Sequence, residues 1–428
     1  MMFTNLKRKN SGRVLPVTAL LPALLLVFVL VLTACGGGGG KDGGGEPTTT
    51  AGEAEGAGDS GTGGSVLPDP VTWYSNLMQN NSSARAAEGG GYEYFAIDDD
   101  LYRISPDGSE VEKAAQLLSR SIFTGSDGIY FTDDTGYVCL PFNGDEKRTV
   151  KGIGWLPTAT WFDGKFHFMD SGQYKTYNPI QDDEPVLVTI IEEPENMGEI
   201  WGIAVTLRKC MVTPGGIYGM YEYKRETDGD GHKTRNALVY AAPGAAAFTE
   251  IELMEMDAEN DRGVVNYSYD GGKLYYQTVY FDPDARPAVS RTFVYEANPD
   301  GSGARQLMEW EGEPCWGVYD GVVYWNDDES TERSSYDLVI KSFDVDTGEV
   351  KSLFNVPKSS VPDSELGDGS QYVFNIYRAG EHLYLHCFDA EDTNDYDDGL
   401  SIYYRMNLDG SDVMVFDTAG PALKAYNG

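Results

Sequence analysis

Cys315-Trp316-Gly317-Val318-Tyr319-Asp320-Gly321-Val322-Val323-Tyr324-Trp325 is the stretch that decides the fold. Two short runs of aromatic and β-branched residues meet at Asp-Gly, the corner that a tight hairpin prefers. Working outward, a loop from Asn326 to Tyr336 leads to a third run, Leu338 to Phe343. Asp344-Val345-Asp346-Thr347-Gly348 turns that run, and Glu349 to Phe354 closes a unit of four strands. The central phrase, a Gly followed by alternating aromatics, recurs along the chain. It stands at Gly91-Tyr92-Glu93-Tyr94-Phe95, Gly128-Ile129-Tyr130-Phe131, Gly164-Lys165-Phe166-His167-Phe168 and Gly216-Ile217-Tyr218. It returns at Gly272-Lys273-Leu274-Tyr275-Tyr276, at Gly321 and at Gly380-Glu381-His382-Leu383-Tyr384. Seven occurrences at intervals of 36 to 59 residues, each built from strands, predict an all-β chain folded as a β-propeller. The expected architecture is seven four-stranded blades, with six or eight as the alternatives. Ring closure is open at this level. The first phrase follows closely on polar Asn80 to Arg85, so its inner strand is expected from Val71-Thr72-Trp73-Tyr74 or from the tail, Ala422 to Tyr426.

A second signature marks the turn between third and fourth strands. Ser105-Pro106-Asp107-Gly108-Ser109, Asn298-Pro299-Asp300-Gly301-Ser302 and Asn407-Leu408-Asp409-Gly410-Ser411 are one pattern in three units. Gly supplies positive φ there and Asp bonds back to the backbone. With their leading strands, Leu101-Tyr102-Arg103-Ile104 and Ile402-Tyr403-Tyr404-Arg405-Met406, these phrases resemble TolB-like propellers and the related propeller lipoproteins of bacteria. The likeness covers residues 90 to 418 and its motifs are structural. TolB is six-bladed and works in an envelope complex, whereas seven phrases occur here, so the resemblance implies the fold rather than the role.

Residues 1–34 read as an export signal. Lys7, Arg8, Lys9 and Arg13 form a basic start, and Val14 to Thr33 is almost wholly apolar. The alternative is an uncleaved membrane anchor. Leu32-Thr33-Ala34-Cys35-Gly36 resembles a bacterial lipobox, which implies lipidation of Cys35 and attachment by more than one acyl chain. Residues 35–70 then form a Gly-rich tether with almost nothing to bury, with a reach of roughly 30 to 35 Å. Gly58-Asp59-Ser60-Gly61 inside it looks like a protease nucleophile neighbourhood but has no strand frame, and is read as composition. Residues 71–428 are left for one propeller domain, expected to be monomeric.

The chain has 32 basic and 68 acidic residues, a formal charge of −36. So acidic a surface excludes nucleic acid and anionic lipid as binding partners, and suits divalent cations or a basic partner. After Cys35 four cysteines remain, Cys139, Cys210, Cys315 and Cys387, none close to another in sequence and each in a different unit. Zinc would want paired spacings. They are read as buried thiols, with one disulfide between neighbouring blades as the alternative.

Longer loops fall between second and third strands in the later units: Tyr221 to Arg235, Tyr280 to Arg291, Asn326 to Tyr336 and Asp389 to Gly399. One face is therefore elaborated, and function is expected there. It carries Asp98-Asp99-Asp100, Asp133-Asp134 and Asp327-Asp328-Glu329. Asp392, Asn394, Asp395, Asp397 and Asp398 alternate oxygen donors ahead of Gly399, a candidate calcium loop, and Asp228-Gly229-Asp230-Gly231 is a shorter one. Trp155, Trp201 and Trp316 are expected near the channel mouth as ligand platforms beside Asp327 and Asp328, or else as packing between blades. His382 and His386 are four apart on a strand, too far for one metal. No catalytic residues are assigned, and no cofactor beyond calcium is expected. The chain reads as a lipid-anchored extracytoplasmic lipoprotein whose propeller binds or scaffolds an envelope protein, peptide or glycan. The alternative is an enzyme, a lyase or hydrolase, acting on envelope polysaccharide.

Overall fold

The computed structural model describes residues 71–78, 84–153, 158–191, 203–226, 232–251, 263–282, 289–312, 314–329, 337–359, 370–389, 400–417 and 420–426. Seven antiparallel sheets, each with its strands in chain order, make a seven-bladed β-propeller. The first strands are Ala86–Gly89, Phe123–Thr124, Ala159–Phe162, Ile203–Thr213, Gly263–Asp270, Trp316–Tyr319 and Tyr372–Ala379. The Gly-aromatic phrase is the second strand in every blade: Tyr92–Ile97, Gly128–Asp133, Lys165–Asp170, Gly216–Glu226, Lys273–Asp282, Val322–Asp328 and His382–Asp389. Each blade touches the next around the ring, and blade 7 touches blade 1 through Tyr372–Ala379 and Ala86–Gly89.

The alternation expected from the sequence is what builds the blades. In blade 6 Val322 pairs with both Tyr319 and Asp344 across its neighbours, which sets the register on either side. Side chains of successive blades interdigitate, and the largest fully buried ones are tyrosines, among them Tyr130, Tyr218, Tyr267, Tyr319 and Tyr377. Tyrosine fills the wide gap between blades, and in several of them the hydroxyl reaches a backbone acceptor. Tyr177 donates to Lys151 O at 2.6 Å and Tyr218 to Pro299 O at 2.8 Å.

The repeated Asp-Gly-Ser turn has one geometry in three blades. Asp107, Asp300 and Asp409 each accept through Oδ1 from the amide two residues on, at 3.1, 3.0 and 2.9 Å, and from that serine's hydroxyl at 2.8, 2.6 and 2.6 Å. Gly108, Gly301 and Gly410 stand at φ of +71°, +82° and +83°, where a side chain would be strained. The donors around Asp107, Ser105 first, hold its carboxyl down at about 2.

Closure differs from expectation. Blade 1 has its own inner strand, Ala86–Gly89, which pairs with Tyr92–Ile97 from Ala86↔Phe95 to Gly89↔Tyr92. The tail does form a strand, Ala422–Ala425, but adds it to the outer edge of blade 7 as a fifth. Residues Tyr74–Met78 are a short helix rather than a strand.

Candidate functional site

Trp73-Tyr74-Ser75-Asn76-Leu77-Met78 places apolar side chains one helical turn apart around two small polar ones. So short a helix is marginal alone and is held here by its surroundings. Val71 stands among the turns between first and second strands, beside Gly89–Gly91 of blade 1 and Gly380 of blade 7. Ala84 lies at the other end of the inner strands, where its carbonyl accepts from Ile122 N at 2.9 Å. The described segment therefore enters the central channel from the hairpin face, its helix lies against the inner strands of blades 5, 6 and 7, and a small pocket remains between it and blades 1 to 3.

Its polar side chains tie the blades together. Asn76 donates through Nδ2 to Ala86 O at 3.0 Å and to Arg378 O at 2.6 Å. Its Oδ1 accepts from Arg378 N at 2.9 Å and from Tyr319 Oη at 2.8 Å. One amide thus binds blades 1, 6 and 7. Ser75 Oγ accepts from Val318 N at 2.9 Å and lies 2.6 Å from Ser268 Oγ, joining blades 5 and 6. Thr72 donates to Trp161 O of blade 3 at 3.1 Å. Arg378, paired with Asp320 at 2.8 Å, lies 4.0 Å over the Trp73 ring, whose indole donates to Glu88 Oε1 at 3.1 Å.

Beside this plug a cavity of about 530 Å³ opens between blades 7, 1 and 2 on the hairpin face. Val71, Glu88, Tyr92, Phe142, Glu381 and His382 are in its wall. The Phe142 ring lies over the Gly89-Gly90 backbone so closely that a Cβ on Gly89 would meet its Cζ at 2.0 Å. That contact explains the glycine run ahead of the first aromatic phrase. The size falls within the range of roughly 300 to 1,000 Å³ common for small-ligand pockets.

Two carboxylates, Glu88 and Glu93, converge in the wall of the cavity. A Cβ on Gly380 would stand 2.8 Å from Glu93 Oε1 and 3.4 Å from Glu88 Oε2. Their environments differ. Burial raises the Glu88 carboxyl above the usual range, opposed by the Trp73 indole and the Arg378 charge. Glu93 accepts three bonds: Oε1 from His382 Nδ1 at 2.5 Å, and Oε2 from Tyr384 Oη at 2.6 Å and Arg405 Nε at 3.0 Å. Arg405 also donates to Pro106 O. This buried polar cluster spans blades 1 and 7 and fastens the ring where its ends meet. Sequence reasoning misses it, although a Glu and an Arg inside strands of aromatics are its visible signal.

The residues singled out from sequence are distributed differently. Trp316 is buried, and its indole donates to Gln277 Oε1 of blade 5 at 2.6 Å, so it packs between blades. Asp327 pairs with Lys341 at 2.7 Å, and the same lysine takes Glu329 at 2.6 Å. Asp328 accepts from Asp337 N at 3.1 Å across the base of its loop. Asp100 and Asp133 likewise meet Lys113 and Lys147. The acidic loops of the elaborated face are thus partly neutralised by lysines of their own blades. Cys35, Trp155, Trp201, the Asp228–Gly231 stretch and the loop carrying Asp392, Asn394, Asp395, Asp397 and Asp398 lie outside the described residues. Among the described residues no group of His, Cys, Asp or Glu is placed to hold a metal ion.

Titratable groups elsewhere are quiet. Burial pushes His167 down to about 4 and His386 down to about 3, so both rings are neutral near pH 7. Cys139, Cys210, Cys315 and Cys387 are thiols outside any disulfide. Burial pushes Cys139 up to about 11, and Cys210 and Cys315 up to about 12. Protonated thiols of this kind are poor nucleophiles.

No protein-family model matches the chain, and no curated protein matches it. Solved structures do. The tricorn protease matches with a TM-score of 0.46 and 11% identity over 84% of this chain, which spans only 36% of that protein. An oligogalacturonate lyase from Vibrio parahaemolyticus matches with a TM-score of 0.42 and 9% identity, over 79% of this chain and 90% of that one. A putative TolB from Agrobacterium tumefaciens matches with a TM-score of 0.34 and 14% identity, over 65% of this chain and 87% of that one. The neighbours thus include TolB-like and other propeller proteins.

Proposed function

We propose that this chain is a lipid-anchored, extracytoplasmic lipoprotein whose monomeric propeller is a non-catalytic binding module for an envelope protein, peptide or glycan. The observation that carries the reading is the occupied channel, in which the helix Tyr74–Met78 packs on the inner strands. A propeller whose axis is occupied by its own chain keeps its rims, loops and edges for partners. Val71 itself stands on the hairpin face, in the wall of the cavity lined by Tyr92 and Phe142. Aromatic walls with carboxylates at Glu88 and Glu381 suit a sugar ring or a basic side chain of such a partner.

One observation favours the alternative, an enzyme acting on envelope polysaccharide: Glu88 and Glu93 flank a single point beside a cavity, as paired acid and base carboxylates do. Against it, His382, Tyr384 and Arg405 hold Glu93 in a buried ion-paired cluster, the environment of a structural carboxylate rather than of a free acid or base.

Cys35→Ala tests the anchor. Wild type is expected in the membrane fraction and the variant in the soluble fraction. A variant that stays membrane-bound at the wild-type level contradicts the lipoprotein reading. New reducing or unsaturated ends released from envelope polysaccharide by the wild type, and lost in Glu88→Gln, would replace binding with catalysis.

A further inference from the structure

The outer edge of blade 3 is built unlike the others. Fourth strands are the exposed edges of a propeller, and such edges are normally guarded by charge. Val111–Gln116 carries Glu112 and Lys113, Arg148–Thr149 has Arg148, and Thr249–Glu250 has Glu250. Arg305–Glu311 carries Arg305, Glu309 and Glu311, and Val350–Asn355 has Lys351. Blade 7 covers its fourth strand with Ala422–Ala425, itself bearing Lys424. Blade 3 ends instead in Val186–Ile190, whose sequence is Val-Leu-Val-Thr-Ile. Val186, Leu187, Val188 and Ile190 are each 50% to 57% exposed, and Ile180 before them is 62% exposed. Val186 and Leu187 point to opposite faces, so both faces of this edge carry apolar side chains, and a bulge falls at Val188.

Among the described residues the strand pairs on one side only, with Gln173–Tyr177, through Gln173↔Ile190, Tyr174↔Thr189, Lys175↔Leu187 and Thr176↔Val186. Its other side offers a row of backbone donors and acceptors. β-Branched residues without Gly or Pro are what a strand-adding partner needs. Blade 7 shows that a fourth strand of this ring accommodates a fifth, since Met414–Asp417 pairs with Ala422–Ala425.

Charge decides the occupant. Asp182, Asp183 and Glu184 lead into the strand, and Glu192 and Glu193 follow it in the sequence. A second copy on this edge would set a chain at −36 against another of the same charge. A strand with basic flanks meets opposite charge at Asp182, Asp183 and Glu184.

We propose that Val186–Ile190 is a docking edge for an extended, apolar segment of another protein, flanked by Lys or Arg, which adds to blade 3 as a fifth strand. The proposal rests on the reading of the chain as a binding module and names one partner chemistry for it. Its test is independent of the Cys35 experiment, because it uses detergent-solubilised full-length protein and is read by binding alone. The probe is a labelled Lys-Lys-Val-Thr-Val-Thr-Val-Lys-Lys peptide, with a Glu-flanked peptide of the same core as control. Wild type is expected to bind the Lys-flanked probe, and Leu187→Lys and Val188→Lys to weaken it at least about tenfold. Both sites are exposed, so the thermal midpoints of the variants stay near wild type. Equal binding of the two peptides, no binding of either, or an unchanged affinity in the variants overturns the proposal. A concentration-dependent dimer abolished by Val188→Lys would assign the edge to a second copy instead.

Discussion

Glu93→Ala is expected to lower the stability of the fold by about 3–5 kcal/mol, because it leaves the buried Arg405 guanidinium without its counter-charge. The side chains of both residues are almost wholly buried, at 4% and 3% exposure, so water cannot take over the lost interaction. His382 and Tyr384 lose their acceptor at the same time. The size of the effect comes from the stranded charge rather than from the net worth of the pair. Replacing both partners together, as in Glu93→Met with Arg405→Leu, removes the uncompensated charge and is expected to cost less than Glu93→Ala alone. Urea denaturation at pH 7 reads both results as shifts of the midpoint at constant slope. A single variant within about 1 kcal/mol of wild type would mean that blades 1 and 7 are fastened by something other than this cluster.

Asn76→Ala is expected to be nearly as severe, at about 3 kcal/mol, for a different reason. No charge is involved. The substitution strips partners from Ala86 O, Arg378 O, Arg378 N and the Tyr319 hydroxyl, all inside the channel. Leaving buried groups unsatisfied costs more than making the bonds gained in the first place. Thr72→Val, which removes one bond at the channel mouth, is expected to cost about 1 kcal/mol. The same denaturation series separates the two. An Asn76 variant no weaker than the Thr72 variant would show that the helix lies against the ring without holding it.

Where the sequence is readable, short-range physics is responsible. Val322-Val323-Tyr324-Trp325 alternates, and Asp107-Gly108-Ser109 turns, for reasons that lie within a few residues of each other. Blade number follows from counting such units. Ala86-Ala87-Glu88-Gly89 is hidden as an inner strand because it has no β-branched or aromatic residue, and its strand state comes from pairing with Tyr92–Ile97. The plug is hidden for the opposite reason. Ser75 and Asn76 look like surface residues, and only the closed ring shows that their partners, Ser268, Val318 and Arg378, come from three blades far along the chain.

The site divides in the same way. Trp316 is legible as an aromatic near the start of an inner strand, but whether such a ring faces a ligand or a neighbouring blade is set by Gln277, in the preceding blade. Asp327 and Asp328 are legible as loop residues after a second strand, while Lys341, which neutralises Asp327, is invisible until the hairpin is paired. Glu93 and His382 are both in view as members of the aromatic phrase. Their meeting depends on the ring closing, which no local pattern encodes.

Native-state hydrogen exchange across residues 71–78 tests the central claim most directly, that the chain occupies its own channel and so binds at its rims. The amides of Asn76, Leu77 and Met78 are expected to be protected to the same degree as those of the inner strands Gly263–Asp270 and Trp316–Tyr319, and to open only with them. Exchange of these amides at the rate of unprotected peptide, with the inner strands still protected, would show an empty channel and contradict that claim.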